Sequence, residues 1–303
     1  MTSIPSVEPN VSQPIQEEQT KVKQKKKHYP LASIGALVGS SAISYMSQPI
    51  ANKQILPAMR KTYRLPQDTI DIIHDGARQA LEESGLKAKG VRIRYLDGRN
   101  YFAQIIKTIM GEQRREQPLK EFLDAINIEP IRQGMNAGFV NKNYIFKDFD
   151  GTKKLYLKKN SILMPKNNIS GAVFHEMGHA MNYNFSKIGK VLQKARPIAM
   201  VTPGLIALYG ACSKKNDSKA NNFVRDHAGL LAFASTVPML IEEGMATIKG
   251  QKYANKLLPK EVAAKVLKGN KIAYCSYALV GILSGLSAFT AVKIKDHFVN
   301  KKN

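Results

Sequence analysis

Residues 171–183 read GAVFHEMGHAMNY, and this stretch decides how the rest of the chain is interpreted. It contains no proline and its apolar residues fit helical spacing, so it predicts a helix with Ser170 as the N-cap residue. His175 and His179 are four residues apart and therefore lie on one face of that helix, one turn from each other. The side chain of Glu176 projects about 100° round the helix from His175.

This spacing predicts a metal site with a base beside it. Both imidazoles of His175 and His179 can reach one ion, and Glu176 then stands where a general base takes a proton from water. The expected cofactor is one Zn²⁺ ion per chain, which lowers the pKa of water and polarises a carbonyl group. The chemistry indicated is metal-assisted hydrolysis, with Glu176 as the catalytic residue.

A catalytic zinc ion usually has three protein ligands, so a third must come from elsewhere. The extended metzincin pattern needs Gly at position 182 and His at position 185, where the chain has Asn182 and Phe185. An acidic pair, Glu242 and Glu243, ends the apolar run in VPMLIEEGMATIKG (residues 237–250). Acidic residues beside a membrane-level segment are costly without a partner, and a bound cation is such a partner.

Composition excludes several classes of protein. The chain has 303 residues, of which 44% are hydrophobic, and ordinary Gly and Pro contents, so fibrous and wholly disordered classes are excluded. Two cysteines, Cys212 and Cys275, exclude a disulfide scaffold and are expected to be small buried hydrophobic residues. The net charge of +23 leaves nucleic acid and an anionic membrane surface as candidate partners.

The distribution of charge and apolar residues divides the chain into six segments. In order, they are a disordered basic tail (1–29), a possible membrane helix (30–48), a catalytic α+β region with the zinc helix (49–190), a helical hairpin that returns the third ligand (191–248), a basic amphipathic connector (249–271), and a C-terminal membrane helix with a basic tail (272–303).

Three uncharged stretches, residues 197–212, 228–241 and 272–292, are candidates for membrane helices. The last would extend roughly 31 Å as a helix, enough to cross a bilayer. If the histidines and the acidic pair bind one ion, the chain between them crosses the membrane an even number of times. The first two stretches satisfy this condition if both span or if neither does.

The connector at residues 249–271 carries seven lysines and one glutamate, with an apolar side made by Leu257, Leu258, Val262, Ala263 and Val266. It predicts a helix lying on an anionic membrane surface; the alternative is a solvated helix of a soluble domain. No nucleic-acid-binding module is recognisable and few aromatic residues accompany the lysines. Nucleic acid is therefore an unlikely partner.

The chain resembles the gluzincin membrane metallopeptidases of the CAAX prenyl protease and HtpX type. Their pattern is H-E-x-x-H on one helix and E-x-x-A-D on a later one; residues 175–179 match the first, and Glu243 to Ala246 match E-x-x-A. The resemblance implies that Glu243 is the third ligand and that Glu242 is its neighbour. Thr247 replaces the final Asp; it can still donate a hydrogen bond but cannot orient a histidine as an anion.

The resemblance covers roughly residues 134–250. Asn136 and Ala137, followed by short strands and the zinc helix, are similar to the family's Asn-Ala strand block, in which an edge strand holds the substrate as an added strand. The candidate strand residues lie between positions 155 and 164; they are Leu155, Leu157, Ile162 and Leu163. An ordinary structural hairpin is the alternative. The implied fold is mostly α, with a small β-hairpin or sheet beside the zinc helix and a gluzincin-like core with membrane helices.

These features predict a multi-pass membrane zinc metalloendopeptidase whose substrate is a membrane-embedded or membrane-proximal polypeptide. One alternative is a non-catalytic basic membrane protein that recruits partners or anionic lipid. Another is a soluble metallopeptidase whose apolar helices are buried in a large core.

Overall fold

The computed structural model describes residues 65–96, 137–147, 153–165, 171–214 and 218–300, together with Ser33. Within these residues the chain is mostly helical with little β-structure, as predicted. The elements, in chain order, are α1 (Gln67–Glu83), β1 (Arg92–Leu96), β2 (Gly138–Val140), β3 (Tyr144–Lys147), β4 (Lys153–Leu157), β5 (Ser161–Pro165), α2 (Ala172–Phe185), α3 (Lys187–Cys212), α4 (Lys219–Asp226), α5 (Ala228–Leu257) and α6 (Lys260–Asn300). The predicted tail at 1–29, the possible membrane helix at 30–48 and Asn136 lie outside the described residues.

The chain divides into two compact units. The larger unit comprises Met46–Val201 and Ala234–Ile282, and the smaller unit comprises Met1–Tyr45, Thr202–Phe233 and Leu283–Asn303. The boundaries between the units fall inside α3, α5 and α6.

A buried helix and a small sheet form the centre of the larger unit. Helix α2 begins at Ala172 with Gly171 as its N-cap residue, and residues 172–182 are all buried; the predicted cap, Ser170, is not among the described residues. Helix α1 buries one apolar face, which includes Ile70, Ile73 and Ala77, and Gly85 follows its end with a φ of 72°, a left-handed conformation that favours glycine. The shared core is built from residues of α1, the turn after it, β5, α2, the segment around Pro259 and the start of α6: Ile73, Leu86, Ile162, Met164, Phe174, Met177, Leu258 and Val266.

The sheet corrects the expectation for the substrate strand. Strand β5 is central: it pairs in parallel with β1 and antiparallel with β2. Both edges of Ile162 and Leu163 therefore have backbone partners, and these two residues cannot accept a substrate as an added strand. Leu155 and Leu157 lie on β4, which pairs with β3 in a separate antiparallel sheet.

The structure does not show the single surface helix that was predicted for the basic connector at 249–271. Helix α5 continues to Leu257 and α6 begins at Lys260, so the segment is the junction of two long helices. Leu258, Ala263 and Val266, assigned to a membrane-facing side, are buried in the core of the larger unit. A single helix runs from Lys260 to Asn300, so no boundary separates a connector from a C-terminal membrane helix at residue 272.

Three helices, α3, α5 and α6, are long and apolar enough to cross a membrane. They contain the three predicted uncharged stretches, and α3 and the apolar part of α5 lie between the histidines of α2 and the acidic pair, as the even-crossing condition allows. Cys212 and Cys275 are exposed on α3 and α6, which corrects the expectation that they are buried.

The smaller unit has small residues inside and large apolar residues outside. Its core consists mainly of alanines, Ala207, Ala211, Ala228, Ala232, Ala288 and Ala291, with Val292. Large side chains such as Leu205, Leu230 and Leu286 are exposed. Helices α5 and α6 approach closely at Gly229 and Gly285, since a Cβ added to Gly285 would lie 2.9 Å from the Gly229 carbonyl oxygen. This distribution is typical of helices packed in lipid, where small residues allow close backbone contact.

Two buried cations cap the carboxyl end of α3 in the smaller unit. Arg225 donates hydrogen bonds to the carbonyl oxygens of Gly210 (2.9 Å) and Ser213 (2.7 Å), and it pairs with Asp296. Lys295 donates to the carbonyl oxygens of Ala211 and Ser213, each at 2.6 Å. The terminal carbonyl groups of the helix, which have no partner within it, are thus satisfied by positive groups that also suit the helix dipole.

Replacing Ile73 by Ala should destabilise the larger unit strongly. Ile73 is 0% exposed in the core, whereas its neighbour Ile72 is 42% exposed on the same helix. We expect Ile73→Ala to cost about 2–5 kcal/mol through the lost burial and the cavity, and Ile72→Ala to cost less than about 1 kcal/mol. Thermal unfolding followed by circular dichroism measures both, and equal losses would contradict this packing.

Candidate metal centre

The position of the candidate site is set by a close backbone contact between α2 and α5 in the larger unit. A Cβ added to Gly178 would lie 1.9 Å from the carbonyl oxygen of Ala246, and one added to Gly250 would lie 2.0 Å from that of Phe174. Neither helix has room for even a methyl group at these two points. Because Glu243 precedes Ala246 by about one turn, this contact brings its side chain beside the two histidines.

Three side-chain atoms converge between these helices. The Nε2 atoms of His175 and His179 are 3.0 Å apart. The Oε2 atom of Glu243 lies 3.1 Å from Nε2 of His175 and 3.5 Å from Nε2 of His179. The three residues predicted to hold one ion therefore lie together, and it is Glu243 of the acidic pair that faces both imidazoles.

The arrangement of these atoms fits a zinc ion. With zinc–ligand distances near 2.0–2.1 Å, neighbouring ligands of a tetrahedral ion are about 3.3 Å apart, close to the three observed separations. All three atoms face one another. A hydrogen bond can join only one pair of them at a time, because one proton lies between two atoms, whereas one ion can contact all three. Two imidazole nitrogens and a carboxylate oxygen are also a donor set that suits zinc.

Each histidine makes a second contact through its Nδ1 atom. Nδ1 of His175 lies 3.1 Å from the Thr247 hydroxyl oxygen, and Nδ1 of His179 lies 2.9 Å from Oε1 of Glu242. Donation from Nδ1–H to the carboxylate directs the Nε2 lone pair of His179 towards the centre when the ring is neutral, which orients it as a ligand. Glu242 and Thr247 thus each contact one of the two histidines through Nδ1, and their role behind a metal ligand stays a prediction.

Glu176 lies at the same centre. Its side chain is buried, and one carboxylate oxygen is within 4.8 Å of a ring nitrogen of His175 and of His179. The carboxylate is therefore beside the ligand atoms, as the helix geometry predicts.

The centre holds several buried charges. Glu242 and Glu243 are almost completely buried, and the Arg196 guanidinium lies 2.6 Å from Oε1 of Glu243. Burial by itself would lower the pKa of His179, but the carboxylates of Glu243 and Glu242 outweigh it and hold that pKa well above its usual range. A metal ion bound to this imidazole would therefore have to displace a proton.

Sequence reasoning missed four residues around the centre. Asn182 and Gln193 donate hydrogen bonds to Oε1 of Glu242, at 3.0 and 2.8 Å, and Arg196 lies over the ring of Tyr277. For two of these residues, the sequence contains a pattern that could have identified them. Asn182 is three residues after His179 on one helix face. Arg196 is a charged residue at the edge of an uncharged stretch, as Glu242 and Glu243 are. Nothing in the local pattern distinguishes Gln193 or Tyr277.

Comparisons with family models, curated proteins and solved structures found no match to this chain.

Gly178→Ala should remove bound zinc and lower the unfolding temperature. The added methyl group cannot fit against the Ala246 carbonyl, so α5 must move and carry Glu243 away from the histidines. Gly244→Ala is the matched control, because its Cβ would make only ordinary contacts, the nearest at 3.6 Å from Tyr274. Zinc content per purified chain measures the effect. Full zinc content in Gly178→Ala would contradict the role of this contact.

Proposed function

We propose that the chain is a membrane-associated zinc metalloendopeptidase that hydrolyses peptide bonds of membrane or membrane-proximal proteins. The observation that carries the proposal is the convergence of two imidazole nitrogens and one carboxylate oxygen, with the Glu176 carboxylate beside them. The likeness of residues 175–179 and of Glu243 to Ala246 to the gluzincin pattern supports it; Thr247 is where the chain departs from that pattern.

His175, His179 and Glu243 would hold the ion and leave a fourth position open. When bound, zinc activates water as a nucleophile and polarises the scissile carbonyl group. Glu176 acts as the general base: its carboxylate accepts a proton from the attacking water and later passes it to the leaving amine nitrogen.

Glu242 and Thr247 act through the histidines. Glu242 accepts the Nδ1–H of His179 and is itself held by the amides of Asn182 and Gln193, so the ring has one orientation. Thr247 contacts Nδ1 of His175 with a neutral hydroxyl group. The Nδ1 atom of His175 therefore faces a neutral group, whereas that of His179 faces a carboxylate that orients the ring as an anion.

The exposed apolar surface supports a multi-pass membrane location. The smaller unit has its alanines inside and its leucines outside. In the larger unit, Ile188, Val191 and Ile198 are exposed on α3, together with neighbouring lysines at 187, 190 and 194. Exposed apolar residues mixed with lysines at the start of a span suit the boundary between hydrocarbon and anionic headgroups. A polypeptide at that boundary is the substrate class that fits.

Glu176→Gln should retain zinc and lose proteolysis. The amide keeps the size of the side chain but cannot accept the proton, so cleavage of casein should fall by about 10²–10⁴-fold. Activity and zinc content are measured on the same preparations. Equal cleavage by the variant and the wild type would refute Glu176 as the base.

His175→Ala should abolish zinc binding, whereas His74→Ala should not. His74 packs against Tyr95 in the same unit, with their rings 4.8 Å apart, and controls for the loss of an imidazole. A wild-type protein that is stable and contains no metal would favour the alternative of a non-catalytic basic membrane protein.

Carbonate extraction should leave the full-length chain in the membrane pellet. Three helices are long and apolar enough to span, and carbonate releases proteins held only by peripheral contacts. Release into the supernatant would instead favour a soluble metallopeptidase. A resident multi-pass protein and a known peripheral protein from the same membranes provide the two controls.

A further inference from the structure

Two adjacent carboxylates are buried at the metal centre, and an arginine from another helix reaches them. An Nη2 atom of Arg196 lies 2.6 Å from Oε1 of Glu243, and its Nη1 atom lies 3.9 Å from Oε2 of Glu242. Arg196 belongs to α3 and directly precedes the uncharged stretch at 197–212. Its side chain remains 31% exposed while the two glutamates are almost completely buried.

The two oxygens of Glu243 have different environments. Oε2 faces the two imidazoles, at 3.1 and 3.5 Å, and Oε1 faces the guanidinium group. Without this ion pair, Glu243 could offer both of its oxygens to one ion. With Oε1 engaged in the ion pair, only Oε2 remains for the position shared with His175 and His179.

We propose that Arg196 is the internal counter-ion of this centre. It neutralises Glu243 and occupies Oε1, so that the ligand set is assembled before a metal binds and Glu243 binds through one oxygen. Arg196 is thus a positioning residue that acts through Glu243. The inference about the binding mode rests on the proposed zinc site, whereas the charge compensation does not require a metal.

Physical chemistry favours arginine for this role. A buried carboxylate without a partner is strongly destabilising, and removing one member of a buried pair leaves such a charge. A guanidinium group stays charged, is weakly hydrated and has a planar array of donors, so it suits a buried carboxylate better than an ammonium group. The ring of Tyr277, whose centroid is 5.6 Å from the guanidinium carbon, supports the same group by a cation–π contact.

A double-mutant cycle in the metal-free, full-length protein tests the charge compensation. We expect Arg196→Met to lower the unfolding temperature by roughly 10 °C, because Glu243 is left buried and unpaired. Arg196→Met combined with Glu243→Gln should recover most of that loss, since position 243 then carries no charge that needs compensation and Glu242 keeps its contacts with His179, Asn182 and Gln193. Additive losses in the double variant would overturn the proposal, because they would mean that Arg196 only packs α3 in place.

The visible spectrum of the Co²⁺-substituted protein tests the binding mode. Wild type should give the intense absorption of a four-coordinate site, and Arg196→Met should give the weaker absorption of a site expanded by the second oxygen of Glu243. Arg196→Lys, which keeps a positive donor, should restore the wild-type spectrum. Arg225→Met removes a buried, ion-paired arginine from the smaller unit and should leave the spectrum unchanged.

The unfolding measurements and the Co²⁺ spectra distinguish failure of the Arg196 proposal from failure of the proposed metal site. Identical spectra for wild type and Arg196→Met would overturn the role of Arg196 in binding through one oxygen. A wild-type protein that takes up no Co²⁺ would instead refute the proposed metal site. The metal-free cycle would still decide whether Arg196 compensates Glu243.

Discussion

The candidate site depends on a backbone contact that allows no side chain between two helices. At Gly178 and at Gly250, α2 and α5 approach so closely that a methyl group would overlap a carbonyl oxygen of the other helix. At such a contact, side chains that lie about one turn away on the two helices can touch. A glutamate on α5 therefore reaches the histidines on α2. The glycine inside H-E-M-G-H is therefore needed to bring His175, His179 and Glu243 together.

Charge compensation is the second constraint on this region. Glu242 and Glu243 are buried together and share partners. Glu242 contacts His179, Asn182 and Gln193, and Glu243 contacts Arg196 and the two imidazoles. Removing any one partner leaves a carboxylate short of the interactions that offset its desolvation. The centre is thus a single network, in which substitutions are expected to be non-additive.

Two sequence-based predictions failed because an apolar pattern does not identify what covers it. The apolar residues at 257–266 have the spacing of an amphipathic helix, but protein, not lipid, packs on Leu258 and Val266. Similarly, alternation and β-propensity predict a strand at 161–165 without showing whether its edges are free. The neighbours β1 and β2 come from segments far from β5 in sequence, so local pattern carries no record of that pairing.

The sequence by itself determined the features that depend only on helical periodicity: His175 and His179 on one face, Glu176 beside them, and three uncharged stretches long enough to lie in membrane-length helices. It also pointed to an acidic pair, because charge is costly at the edge of such a stretch. Only the tertiary structure decided that Glu243 faces both imidazoles while Glu242 faces Nδ1 of His179, and that Arg196 completes the network. The physical reason is that periodicity is a property of one helix, whereas these assignments depend on how closely two or three helices pack and at what rotation.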